Sequence, residues 1–243
     1  MATPVHSKST AVLVDEYDLT SLFTKIAPSN SRDVYDKTVL GESSKSFHLG
    51  FKQGEINAEG LFTIFTETPT LDSLFGEPGT PRIVSAFPEG HAVGKPAYIL
   101  YANQSEFSLD TSVGDLIRNA AKFSSLDDGL ERGLSLHPLS AEVGTANGAT
   151  VDGLAASTGG ALGVLHVTAI AGAAPSVVIK LQSSTDAAAW GDVTGGAFTA
   201  ATIATKQRLE IASGVTINRY LRCVATFGGT TTSITFQCSL ARR

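Results

Sequence analysis

The run from Asp33 to Phe65, DVYDKTVLGESSKSFHLGFKQGEINAEGLFTIF, constrains the fold more than any other part of the chain. Its apolar residues occupy odd positions through Phe47, Leu49 and Phe51, then even ones through Ile56, Ala58, Phe62 and Ile64. Side chains alternate between faces along a strand, so a change of parity requires an extra residue, taken up as a bulge or a bend. The glycine-flanked LGFKQG is the place for it, because glycine tolerates the backbone angles a bulge needs. Beyond it Glu55, Asn57 and Glu59 share one face while Ile56, Ala58 and Phe62 share the other. The expectation is a long, bent, half-buried strand with an acidic exposed face. It pairs through the polar loop Gly41–Ser46 with a strand that begins near Asn30.

A chain of 243 residues has room for one large β domain or two modest ones. Residues 1–150 carry 11 Lys and Arg against 19 Asp and Glu, whereas residues 151–243 carry 7 against 4. That asymmetry predicts two domains in different surroundings, and a net charge of −5 leaves no basic footprint for nucleic acid. A mean hydropathy of +0.11 points to burial between subunits. No apolar run approaches the ~18 residues of a membrane-spanning helix. The start, MATPVHSKST, lacks the apolar core of a cleaved secretory signal.

Along the chain, Ala11–Tyr17 reads as a first strand, with Asp18 capping a single turn ahead of Pro28. Thr68–Gly76 has the marks of a short helix, with Pro69 at its first position and Gly76 at its end. Strands are expected over Pro81–Phe87, Pro96–Leu109 and Leu134–Leu139. Val113–Phe123 fits both a helix and a strand. The glycine-rich stretch Ser140–Gly163 carries the domain boundary. Beyond it alternation becomes regular through Leu165–Ala169, Val177–Leu181, Leu209–Ile211, Leu221–Phe227 and Ile234–Leu240, which predicts an antiparallel sandwich. Gly228–Ser233 reads as the loop of a hairpin that sets Cys223 opposite Cys238. That pair is either a cross-strand disulfide or two buried thiols, and synthesis in a reducing cytoplasm favours thiols. Trp190 reads as a core anchor, with an aromatic sugar platform shared with Tyr220 as its alternative.

No pattern of catalysis is present. His6, His48, His91, His137 and His166 are scattered without metal-ligand spacing, and the chain has no nucleophile elbow, phosphate loop or dinucleotide fingerprint.

In the order of its features the chain resembles the major tail tube protein of long-tailed, siphovirus-type bacteriophages that infect actinobacteria. The residues that carry the resemblance are VLVDEYDLTSLF (Val12–Phe23), TVLGESSKSFHLGFKQGEINAEGLF (Thr38–Phe62), PEGHAVGKPAYIL (Pro88–Leu100), LDDGLERGLSLHPL (Leu126–Leu139), VIKLQSSTDAAAWGDV and NRYLRC. The resemblance implies an all-β protein with one or two short helices. Residues 1–147 would form a tail-tube β-barrel or sandwich, and residues 148–243 an immunoglobulin-like β-sandwich on the tube exterior. By the same resemblance Val113–Phe123 is a strand. The implied function is that of a structural virion protein, made in the bacterial cytoplasm, with no enzymatic activity, cofactor or metal. Hexameric rings would stack head to tail into a tube capped by other tail proteins. Double-stranded DNA would pass through the lumen without specific binding, and the C-terminal domain would offer a weak contact to a host surface. An acidic lumen suits sliding DNA, since each Lys or Arg contact to phosphate adds affinity. Asp33, Asp36, Glu55 and Glu59 are the lumen-facing candidates. Gly41, Glu42, Ser43, Ser44, Lys45 and Ser46 are candidates for a contact to the next ring. A head decoration protein and a carbohydrate-binding module are the competing readings.

Overall fold

The structure is a computed structural model that describes residues 7–61, 79–127 and 129–243. The expected helix at Thr68–Gly76 lies outside the described residues. In chain order the strands are β1 (Ala11–Val14), β2 (Tyr17–Asp18), β3 (Phe23–Asp36), β4 (Phe47–Leu61) and β5 (Pro81–Phe87). Then come β6 (Pro96–Asp110), β7 (Arg118–Ser125), β8 (Glu131–Glu142), β9 (Ala146–Asn147) and β10 (Val151–Asp152). The series ends with β11 (Ala161–Ser184), β12 (Gly191–Ala197), β13 (Thr205–Ile211) and β14 (Tyr220–Arg242). The protein is all-β, and a 3-10 turn at Ser7–Ser9 is the helical element among the described residues. Contacts divide the chain into two compact units.

The first unit takes residues up to Ser21, Ile83–Ile99 and Glu131–Arg243. Its frame is the pair β11–β14, antiparallel from Ala161 opposite Arg242 to Ser184 opposite Tyr220. The register slips between Val167 and Pro175, where Gly172 sits at φ 144° and Gly229, on β14, at φ 59°. A Cβ on Gly172 would meet the Thr230 carbonyl oxygen at 2.2 Å, so only glycine lets the two backbones approach there. Across the slip both strands change neighbours. Residues 161–167 of β11 pair with β13, and its C-terminal end pairs with β12. Residues 220–225 of β14 pair with β9 and β10, and residues 234–240 with β8. One core joins the two halves, since Leu165, Phe236 and Cys238 belong to the same buried cluster as Ile179, Leu181 and Cys223. Each such side chain contributes roughly 1.5–3 kcal/mol by leaving water.

The hairpin expected around Gly228–Ser233 is therefore not formed. The residues before and after it belong to one bent strand, and each half pairs with β11 instead of with the other. The glycines and threonines accommodate a bend where the sequence suggests a turn. The expected boundary between residues 147 and 148 falls between β9 and β10, both hydrogen-bonded to β14. The expected first strand also breaks, at Asp15, whose φ of 55° turns β1 into β2.

Residues 161–167 are buried at every position, so both faces of β11 are covered there. On the face away from Leu165, His166 is fully buried in a polar network. The Asp15 carbonyl lies 2.5 Å from its Nδ1 and the Ser85 hydroxyl 2.8 Å from its Nε2. A carbonyl only accepts, so Nδ1 carries the proton and Ser85 donates to Nε2. The Asp15 carboxylate accepts from the Ile83 amide at 2.8 Å and pairs with Lys206 at 2.7 Å. Burial pushes the His166 imidazole down to about 4, against the raising effect of its bond to Asp15.

The second unit takes the described residues of Leu22–Arg82 and Leu100–Leu130. It is an antiparallel sheet in the order β3-β4-β7-β6. Arg32 lies opposite Lys52, but Val34 lies opposite Leu49, so β4 carries one surplus residue at Gly50–Phe51. The bulge falls inside the glycine-flanked segment where the parity change requires it. Beyond it Gly54, Ile56, Ala58 and Gly60 are buried in strict alternation. The strand at Arg118–Ser125 agrees with the extended reading of Val113–Phe123, although residues 113–117 belong to the preceding turn.

Candidate assembly surface

Two features of the β3–β4 pair set the character of the second unit. First, β7 accompanies β4 only from Glu55 to Leu61, while β3 accompanies it all the way to Phe47. The pair therefore outruns its sheet as an arm from about Asp33 to Lys52. Second, among the described residues no strand pairs with the other edge of β3. Unpaired edges and exposed apolar surface are liabilities in an isolated chain.

The arm keeps two distinct faces. Opposed residues share a face, so Val34 with Leu49 and Asp36 with Phe47 lie on the side of Ile26, Ile56 and Ala58, separated from them by Asn30 with Gly54 and by Arg32 with Lys52. Past the end of β7 Val34, Phe47 and Leu49 on that face are all more than half exposed. Lys25, Glu55, Asn57 and Glu59 lie on the opposite face. Alternation along β3 adds Asp33 to them. Asp36 falls on the side of Val34 instead, because the surplus residue at Gly50–Phe51 is in β4 and β3 keeps its period from Lys25 onward. The Thr38 hydroxyl and amide hold the Asp36 carboxyl below the usual carboxylate range.

The acidic face is less acidic than the β4 sequence implies. Glu59 is paired with Lys25 at 2.6 Å and Glu55 with Lys122 at 3.0 Å. Both lysines come from neighbouring strands, β3 and β7, and only the register reveals them. As exposed pairs each is worth about 0–1 kcal/mol.

The loop Gly41–Ser46 closes the arm. The Lys37 amide donates to the Ser46 carbonyl at 2.9 Å, the Ser46 amide to the Thr38 hydroxyl at 2.9 Å, and the Glu42 amide to the Val39 carbonyl at 3.2 Å. Gly41 supplies the positive φ of 98°. Gly41, Glu42, Ser43, Ser44 and Lys45 are exposed and Ser46 half-buried, with Leu40 fully exposed beside them.

The Ser85–His166 bond is buried on both sides, and Asp15 offers the imidazole a backbone carbonyl rather than its carboxylate. Among the described residues no group of three or more His, Cys, Asp or Glu is placed to hold a metal ion. Cys223 and Cys238 are free buried thiols. The expectation that Trp190 anchors the core is corrected, because it is half-buried with the Arg222 guanidinium stacked 4.4 Å over its ring. That stacking also covers one face of the ring a sugar would need.

No family model and no curated protein matches the sequence. Solved structures with a similar backbone include a virion of a native gene transfer agent particle, at 13% identity and a TM-score of 0.43, over 53% of this chain and 98% of that one. The tail of an empty gene transfer agent particle with C6 symmetry has 13% identity and a TM-score of 0.35, over 47% and 90%. The Dit protein of phage SPP1, described as a hub of the adsorption apparatus, has 14% identity and a TM-score of 0.36, over 95% and 98%. Likeness this distant carries no argument about function.

Proposed function

We propose that the protein is a structural component of a phage tail that polymerises as stacked hexameric rings into the tube that conducts the genome. The observation that carries this reading is the β3–β4 arm, a strand pair with Val34, Phe47 and Leu49 exposed on one face and an outer edge with which no strand pairs among the described residues. In a ring of identical copies such an edge finds a partner in the adjacent subunit, and a contact that does not close on itself extends into a filament. The sequence resemblance to tail tube proteins points the same way. In this reading the unit that carries the arm belongs to the tube wall, and the exterior appendage expected of residues 148–243 includes β9 and also β8, whose Leu136 shares its core.

The face that holds Asp33, Glu55 and Glu59 is the lumen surface, and Asp36 belongs to subunit packing. With Lys25 and Lys122 engaged by glutamates, that face offers DNA phosphates few free cations, which suits passage without binding. Electron microscopy of the purified full chain tests the reading. Hollow tubes of uniform width are expected, and monodisperse monomers across salt and concentration would overturn it.

A further inference from the structure

The bend in β14 brings together two thiols that its strand ladders keep apart. Cys223 lies opposite Leu181 of β11 and Cys238 opposite Leu165, so no register makes the cysteines neighbours. Both nevertheless turn into the same core cluster, at 1% and 0% exposure. The gap between the two halves of β14 is narrow at this point. The Cys223 Sγ stands 4.0 Å from the Leu136 carbonyl oxygen on β8, and the next residue of β8, His137, lies opposite Cys238. One cysteine side chain therefore spans from the first half of β14 to the layer that holds the other thiol. The sulfurs interact directly. A hydrogen bond with Cys223, together with burial, pushes the Cys238 thiol up.

The two thiols are unequally covered. Cys238 sits where β8 and β11 flank β14 on both sides. Cys223 has β11 on one side and, on the other, the join between β9 and β10, each two residues long. Gly148 lies in that join and donates its amide to the Cys223 carbonyl at 2.7 Å. A Cβ on Gly148 would stand 3.1 Å from the Cys223 sulfur. Gly148 is half-buried, and Ala149 and Thr150 after it are exposed. Such short edge pairings open at far lower free energy than the ladders of a core, so Cys223 is the thiol a reagent reaches first.

We infer that Cys223 and Cys238 are a site of oxidative modification, which a small disulfide such as oxidised glutathione closes into an intramolecular bond across the core. The Cys223 thiolate attacks one sulfur of the reagent, forming a mixed disulfide and expelling one thiolate. The Cys238 thiolate then attacks the Cys223 sulfur, forming the protein S–S bond and expelling the second. Both protein sulfurs are oxidised, both reagent sulfurs are reduced, and the two cysteine protons end on the released thiols. In a reducing compartment the pair stays as thiols. Outside one, the bond pins the two halves of β14 together.

The full chain, purified under reductant and then held in oxidised glutathione below its melting temperature, tests this. The expected product is a monomer lighter by two hydrogens, with no titratable thiol in denaturant and a peptide map that joins Cys223 to Cys238. Its melting temperature is expected to rise by on the order of 10 °C, since the bond closes a loop of about 15 residues, and to fall back on reduction. Cys238→Ala is expected to take one glutathione on Cys223, whereas Cys223→Ala is expected to leave Cys238 unmodified. Two thiols that stay titratable throughout would overturn the inference, as would disulfide-linked dimers or a cross-link that lowers the melting temperature. Equal labelling of the two alanine variants would overturn the order of attack. If either variant fails to fold, the wild-type products still decide whether the bond forms. None of these measurements depends on tube formation, so the inference and the function reading fail separately.

Discussion

The pairs β11–β14 and β3–β4 are built alike and used oppositely. Both are long antiparallel pairs that slip register at a glycine. In β11–β14 the slip lets the strands change neighbours, so that a core forms inside the bend and residues 161–167 are covered on both faces. In β3–β4 the slip at Gly50–Phe51 lies beyond the last neighbour, so the strands run on with Val34, Phe47 and Leu49 exposed. The same local device thus closes one region and opens the other. What differs is whether a third strand reaches past the bulge.

Truncating the covered pair should have the largest effect. Phe236→Ala is expected to cost about 3–5 kcal/mol, through lost burial and the cavity left behind. Phe47→Ala on the arm should leave the unfolding free energy within about 0.5 kcal/mol and lower only assembly. Urea titrations followed by the single tryptophan, Trp190, read the first unit, and far-ultraviolet dichroism reads both. Equal costs for the two substitutions would remove the contrast.

The next effect belongs to pH. His166 titrates at about 4 in the fold against 6.5 in a model peptide, so the native state favours the neutral ring. A lowered folded value means the stabilisation is complete above 6.5 and is lost as pH falls toward 4, by up to about 3 kcal/mol. Urea midpoints measured between pH 6.5 and 5 should fall in the wild type and flatten in His166→Gln. A parallel fall in both would assign the loss to carboxylates instead.

A smaller effect separates two glycines of the same bend. Gly172→Ala drives a Cβ into the Thr230 carbonyl at a positive φ and should cost about 2 kcal/mol. Gly228→Ala meets nothing closer than 3.4 Å and should be nearly neutral by thermal melting. The smallest change is expected at the rim of the covered unit. Asp152 and Arg219 form a two-point ion pair at 2.8 and 2.6 Å, each side chain about half exposed. That pair holds the Asp152 carboxyl down to about 2, so its carbon resonance should titrate below that of an ordinary aspartate. Asp152→Asn should leave the melting temperature unchanged.

The sequence was most informative where a pattern could be satisfied in only one way. The parity change between Phe51 and Ile56 demanded a surplus residue among few glycines, and the bulge is there. The Gly-Gly-Thr-Thr-Thr run could be satisfied twice, as a turn or as a bend. The choice depended on β11, whose partnership with both halves of β14 has no local signature. Glu55 and Glu59 were legible as one face by alternation. Asp36 was not, because its face depends on which strand holds the surplus residue. Lys25 and Lys122 entered only through register, and so did the burial of His166 beneath Asp15 and Ser85.

The order of folding follows from the layout of β14. This strand is the partner of β8, β9, β10 and β11, so the first unit gains its core only after the C-terminal strand joins segments far upstream in the sequence. The β3–β4 pair needs only its own loop, and local pairings form faster than distant ones. The β3–β4 pair is therefore expected to form before the core of the first unit closes. If the arm is the contact between copies, timing as much as affinity decides whether they meet as finished subunits or as tangles.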